Sequence, residues 1–278
     1  MFCAVIDRGL GKVKPPPPKP DQLSQHQGAK MTDFLTTTQD RKIAFEKQTG
    51  VGPGVVFLGG FRSDMTGTKA QALADWAKAC GRSFVRFDYS GHGQSSGCFE
   101  QGAIGDWAQD AAEVLAHLCD GPQILVGSSM GGWISLLLAR AQPDRVAGLI
   151  GIAAAPDFTT TIWQDLGPEG QAALQANGRI LQPSDYSDTP YVITQRLIED
   201  GARQCVLTQP LPLACPVRLL QGTHDTDVPP AVALKLLDHA TGPDIRLTLV
   251  KGADHRFSTP ECLALITTTL DEMIKGMG

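Results

Sequence analysis

The sequence is short of the features that would tie it to nucleic acid, to a membrane or to an oxidising compartment. It has no basic excess: 24 Lys and Arg stand against 29 Asp and Glu, a net charge of −5 with a pI near 5.7. An acidic surface is not drawn to polyanions, so neither nucleic acid nor an anionic lipid surface is an expected partner. Cysteines are scattered at Cys3, Cys80, Cys98, Cys119, Cys205, Cys215 and Cys262, an odd number with no C-x-x-C. That arrangement indicates neither a disulfide framework nor a zinc site, and it suits a reducing compartment. No long apolar run survives inspection either. The longest uncharged window, Gly121 to Ala139, is interrupted by four Gly and three Ser, which speaks against a membrane span and against stable membrane insertion.

What is present is an alternation of strand-like and helix-like runs in a chain of 278 residues, a length at which roughly three quarters of the unfolded surface is buried. Residues 1–30 stand apart: Lys12, Lys14 and Lys19 flank Pro15 to Pro18, no apolar period is visible, and a disordered tail is expected. The tail has no apolar core of a secretory signal and is too rich in Pro for an amphipathic presequence. Residues 31–278 then read as one α/β domain. Lys42 onward, with Ile43 and Phe45 alternating, predicts an edge strand, and Val55-Val56-Phe57-Leu58 a buried one. Thr68 to Cys80 reads as a helix with Ala72, Leu73, Trp76 and Ala77 on one face. A strand follows at Phe84 to Phe87, then an amphipathic helix from Ile104 to Leu118 through Trp107, Ala111, Val114 and Leu115. Later strands are expected at Val146 to Ala154, Val217 to Leu220 and Ile245 to Val250, and helices at Ala231 to Leu237 and Cys262 to Met273. Such repeated βα units imply a mostly parallel central sheet flanked by helices on both faces.

The chemistry centres on Gln123 to Arg140, where an apolar strand-like run ends on Gly127-Ser128-Ser129-Met130-Gly131 and passes straight into Trp133, Ile134 and Leu136 to Leu138. G-x-S-x-G puts its serine on a sharp strand-to-helix turn with the hydroxyl exposed. With 30 glycines in the chain the pattern alone is weak, and it recurs at Gly93-Gln94-Ser95-Ser96-Gly97. Only the first match has a strand before it and a helix after it, so Ser129 is the expected nucleophile and Ser95 reads as loop.

A serine hydroxyl needs a base to take its proton and an anion to orient that base. On this kind of strand-turn-helix scaffold they follow in the order acid, then His, each after a later strand. His255 sits just past the last strand. His26 lies in the tail, His92 in an early loop, His117 and His239 near helix ends, and His224 before the acid loop, positions that suit a structural histidine better. For the acid, the loop after Val217 to Leu220 offers Asp225 and Asp227; Asp225 lies nearer the strand end and is preferred, with Asp227 read as a solvated or capping aspartate. Oxyanion stabilisation takes two backbone donors, expected from the N–H groups of Met130 and of Phe61, the latter after Gly59-Gly60. Arg62 beside that loop is a candidate anchor for a substrate carboxylate, or simply a solvated arginine.

The α/β rhythm breaks from about residue 156 to 213. A lid is expected there, with Phe158, Trp163, Tyr186 and Tyr191 lining an acyl pocket or forming a small core of their own.

Several stretches are more specific than these motifs: Met65-Thr66-Gly67-Thr68-Lys69-Ala70, Arg86-Phe87-Asp88-Tyr89-Ser90-Gly91, Asp120 through Ser129, Cys215 through Leu220, and Asp254-His255-Arg256. In these the chain resembles the α/β-hydrolase-fold serine hydrolases, and among them the mitochondrial acyl-protein thioesterases that also act as acyl-glucuronide esterases. The resemblance runs from about Thr38 to Met273. It implies that Ser129, Asp225 and His255 form a triad that cleaves an acyl thioester or carboxylic ester through an acyl-enzyme, with no metal or cofactor and a small-molecule or acyl-protein substrate. Alternatives with the same triad are a small-molecule carboxylesterase or a carbon–carbon bond hydrolase; a non-catalytic receptor on this fold is disfavoured by the complete set. The tail does not look like that family's transit peptide, so a cytoplasmic location is expected, with a mitochondrial one as the alternative.

Overall fold

A computed structural model describes residues 32–182 and 190–277. The expected tail with His26, and Tyr186 of the expected lid, lie outside the described residues. The chain runs through β1 (Asp33–Thr36), β2 (Lys42–Gln48), β3 (Val51–Leu58), α1 (Thr68–Cys80), β4 (Arg82–Phe87), α2 (Ile104–Leu118), β5 (Gln123–Ser128), α3 (Met130–Ala141) and β6 (Val146–Ile152). Next come α4 (Phe158–Asp165), α5 (Gly167–Asn177), β7 (Arg179–Gln182), β8 (Tyr191–Thr194), α6 (Gln195–Arg203) and β9 (Leu211–Pro212). The last part holds β10 (Val217–Gly222), α7 (Pro230–His239), β11 (Ala240–Thr241), β12 (Ile245–Val250) and α8 (Pro260–Lys275).

Eight strands form one sheet in the order β1-β2-β4-β3-β5-β6-β10-β12. β1 and β2 are antiparallel to their neighbours, and every other pairing in the sheet is parallel. Because side chains alternate along a strand, each strand feeds two cores. Val56, Leu58 and Leu125 join Trp107, Val114, Trp133 and Leu136 from α2 and α3 on one face. Val55, Phe57, Ile124 and Val126 join Leu73, Ile266 and Leu270 from α1 and α8 on the other. Each fully buried side chain of this size contributes roughly 2 kcal/mol relative to exposure. The buried, β-branched character of β5 follows from its central place, covered on both sides.

The structure corrects the reading of Lys42 onward as an edge strand. β2 is the second strand, because β1 pairs along its outer side from Asp33↔Phe45 to Thr36↔Lys42. Four residues with two apolar side chains offer too little alternation to announce a strand. Among its described residues, the expected break between β6 and β10 holds three helices and an antiparallel β7–β8 pair. The periodicity of α5 is faint for a physical reason: it is built largely from Gly, Ala, Gln and Pro and buries only Leu174. Among the described residues, no helix is long and apolar enough to cross a membrane.

Candidate active site

Ser129 stands between the end of β5 and the start of α3 with φ 54° and ψ −117°. A side chain with a Cβ adopts that conformation only where its surroundings impose it. Here the Ser129 amide donates to Ile152 O at 2.9 Å on the neighbouring strand, and its carbonyl accepts from Gly132 and Ala155 amides at 2.9 and 3.1 Å. The two motif glycines make the turn sterically feasible. A Cβ on Gly127 would lie 2.3 Å from Gly131 O, and one on Gly131 would lie 2.1 Å from Leu58 O and 2.6 Å from Gly59 O. Those are backbone atoms that cannot swing aside. Gly131→Ala is therefore expected to cost about 3 kcal/mol, lowering Tm by roughly 6–12 °C in a thermal melt; a melt within 2 °C of wild type, roughly the width of a surface substitution, would mean the turn relaxes freely.

Three residues from separate loops meet at this turn. His255, in the loop after β12, has Nε2 3.1 Å from Ser129 Oγ and Nδ1 2.9 Å from Asp225 Oδ2. A carboxylate only accepts, so the ring proton sits on Nδ1 and the Nε2 lone pair faces the serine hydroxyl. Asp225 lies in the loop after β10 and is 4% exposed. Its Oδ1 accepts from the amides of Asp227 and Val228 at 3.0 and 2.8 Å, and Oδ2 also accepts from Gln221 Nε2 at 2.9 Å. Burial works to raise its pKa, but the hydrogen bonds from His255, Val228 and Gln221 outweigh burial and hold it below the ordinary carboxylate value. Asp227 is exposed and supplies an amide to Asp225. Its carboxylate also comes near: Asp225, Asp227 and His255 each bring one possible ligand atom within 4.8 Å of the others. These are the residues a cation would meet, yet the Asp225 oxygens already take four donors.

Ser95, the other motif serine, makes its hydrogen bonds elsewhere. Its Oγ donates to Asp88 O at 2.6 Å and accepts from the Ala44 amide, so it ties the loop after β4 to β2. Two residues to which the sequence reading gives no role hold the site in place. Gln221, 1% exposed, fixes Asp225 from β10. Lys69, in the first turn of α1, donates to the Arg256 carbonyl and so braces the His255 loop; burial first of all lowers its pKa to about 8. Lys69 acts across 187 residues, which no local pattern shows, whereas Gln221 acts on a carboxylate only four residues ahead.

The loop after β3 passes alongside the turn. A Cβ on Gly60 would lie 3.5 Å from Ser129 Cβ, which shows how closely that backbone approaches. Among the described residues, neither the Phe61 nor the Met130 amide is taken up by a turn, loop or cap hydrogen bond. The Phe61 ring is packed edge-on against Phe99, Trp107, Phe158 and Tyr191 at centroid distances of 4.9 to 6.0 Å. Phe158 and Tyr191 come from the segment between β6 and β10, so that segment rests on the Phe61 loop. Trp163 instead lines a cavity of about 280 Å³ between α4, α5 and α6, with Thr160, Ile198 and Ala202. Arg62 is exposed, with its guanidinium 5.1 Å from the Phe99 ring centre and 5.9 Å from that of Tyr191, and with Nη1 3.4 Å from Pro190 O.

Comparison with known proteins agrees with this fold. A family model described as serine aminopeptidase, S33, matches residues 54–199. Rat palmitoyl-protein thioesterase ABHD10, mitochondrial, is 38% identical over 242 residues, covering 87% of this chain and 82% of the rat protein. The chain belongs to the α/β-hydrolase family. Two solved structures superpose on it with a TM-score of 0.84. One is alpha/beta hydrolase domain-containing protein 10 from mouse, 36% identical, covering 90% of this chain and all of that one. The other is a putative hydrolase from Agrobacterium vitis S4, 40% identical, covering 88% of this chain and 98% of that one. This α/β-hydrolase is thus a serine hydrolase, as its family and its relatives' names agree.

Proposed function

We propose that this hydrolase cleaves acyl thioesters or carboxylic esters through an acyl-enzyme on Ser129, with long-chain acyl-protein thioesters as its substrate class. The observation that carries the reading is the continuous relay from Ser129 Oγ through His255 to Asp225, at 3.1 and 2.9 Å. As Ser129 Oγ attacks the acyl carbonyl, its proton passes to His255 Nε2, and Asp225 stabilises the resulting imidazolium. The Met130 and Phe61 amides receive the developing oxyanion. His255 then protonates the leaving sulfur or oxygen, and a water deprotonated by the same imidazole releases the carboxylic acid. A thiol with a pKa near 8.5 leaves readily, so the same relay serves both ester types.

Substrate class rests on likeness to the rat thioesterase and on the apolar surroundings of the Phe61 loop. The segment over residues 156–213 acts as a lid in this reading, with Phe158 and Tyr191 forming the apolar wall above Phe61. Arg62, held over two rings at the same edge, is placed to meet a carboxylate on the substrate. The compartment is thiol-reducing, in keeping with six free cysteines among the described residues. It is cytoplasmic, as the sequence suggests, or mitochondrial, as the rat relative's name says of that protein.

The test is kcat/KM for thioesters and oxygen esters from acetyl to palmitoyl. A rise with chain length, strongest for thioesters, is the expected result. Activity confined to short oxygen esters would replace the acyl-protein substrate by a small-molecule ester.

A further inference from the structure

Beside the Phe61 loop lies a buried histidine that the relay leaves unused. His92 is 3% exposed. Its Nε2 lies 3.2 Å from the Arg62 amide nitrogen and its Nδ1 lies 3.2 Å from Ser90 O. An amide only donates and a carbonyl only accepts, so the ring proton must sit on Nδ1, leaving Nε2 as the acceptor for Arg62 N–H. Around the ring, Tyr89, Phe99 and Trp107 stand edge-on at 5.6, 5.0 and 5.1 Å. Trp107 Nε1 donates to the same Ser90 carbonyl at 3.0 Å, which fixes the other end of the contact. Burial, with a smaller contribution from the Arg62 charge, lowers the imidazole pKa to about 4, so the acceptor stays unprotonated at neutral pH.

The residue that this histidine holds is strained. Arg62 has φ 56°, in the left-handed region that a residue with a Cβ avoids unless something holds it there. Its side chain is itself laid over the Phe99 and Tyr191 rings. The peptide that His92 grips is the one immediately after the Phe61 amide, so its loss lets the Phe61 backbone rotate. We propose that His92 is a positioning residue: by accepting from Arg62 N–H it locks the Phe61 amide in the direction needed to receive the oxyanion. This role rests on the hydrolase reading above and adds to it a residue outside the relay.

The experiment compares His92→Leu, which removes the acceptor, with His92→Gln, whose Oε1 restores an acceptor near the Nε2 position. Each is measured for kcat and KM on the best acyl substrate, for binding of a boronic acid that forms a tetrahedral adduct with the serine, and for Tm. Leucine is expected to lower kcat about 10²-fold with KM within about twofold, and to weaken boronate binding by a similar factor. Glutamine is expected to recover at least about tenfold of that loss. Where the leucine variant does not fold, His92→Asn takes its place, since its shorter amide reaches the Nδ1 position and not Nε2. A merely structural histidine would give losses that follow Tm, with no advantage for glutamine at equal Tm, and that result overturns the proposal, as does a leucine variant of near wild-type kcat. An inactive wild type in the same assay overturns the hydrolase reading and this role with it; an active wild type with an unaffected leucine variant overturns this role alone.

Discussion

Ser129→Ala is expected to lower kcat/KM on acyl esters and thioesters by about 10⁵- to 10⁶-fold, with substrate binding and Tm close to wild type. The size of the effect follows from the geometry. Removing Oγ takes away the attacking atom and leaves His255 with no proton to accept, so two of the three members of the relay fall silent together. What remains is the acceleration supplied by binding and by the Met130 and Phe61 amides, roughly 10³- to 10⁴-fold over water. Alanine keeps a Cβ at φ 54°, so the strain of the turn is retained and stability does not change. Ser129→Gly makes the complementary point: it removes the same oxygen but relieves the strain, and its Tm should exceed that of the alanine variant. Hydrolysis by purified Ser129→Ala within 100-fold of wild type would show that another residue attacks, and the mechanism proposed here would fail.

Much of this candidate site is legible in the sequence because its parts are local. The turn needs a glycine on each side of the serine, and the close approaches of Gly127 and Gly131 to neighbouring backbone explain why no larger residue stands at either place. His255 and Asp225 follow strands whose apolar runs are plain in the sequence. The helices α1 and α2 begin and end where their periodicity predicts, from Thr68 to Cys80 and from Ile104 to Leu118. Illegible were the groups satisfied from far away in the chain. Asp110 falls on the apolar face of α2 and is fully buried, yet it accepts from the Ser90 amide and hydroxyl and from Arg41 Nε, 20 and 69 residues away. Hydrophobic periodicity sees such a carboxylate only as an interruption. His92 was missed for the same reason, since a loop histidine gains its meaning only when the Arg62 amide arrives beside it. The segment from 156 to 213 was opaque because its helices are short and weakly apolar, and they are ordered by the Phe61 cluster and by one another.

Asp225→Asn is expected to lower kcat about 10⁴-fold, whereas Asp227→Asn should stay within about threefold of wild type. Both carboxylates lie close to His255, so proximity alone does not choose between them. Solvation and donor count do. Asp225 is buried and takes its donors on both oxygens: two backbone amides on Oδ1, and Gln221 with His255 Nδ1 on Oδ2. Those bonds fix the carboxylate plane and keep it ionised, which is what an imidazolium needs at the moment it forms. Asp227 is exposed, and water screens its charge, so its interaction with the imidazole is worth far less. Asparagine at 225 would keep the shape but turn one oxygen into an NH₂ group. If that group faces His255, the ring is driven to the wrong tautomer and its proton sits on the nitrogen that should accept from Ser129. The loss should therefore fall on kcat with little change in KM, and the double variant should be no worse than Asp225→Asn alone. The reverse ranking, with Asp227→Asn inactive and Asp225→Asn near wild type, would move the acid to the exposed position; a double variant much weaker than Asp225→Asn would mean that Asp227 takes over when the buried acid is lost.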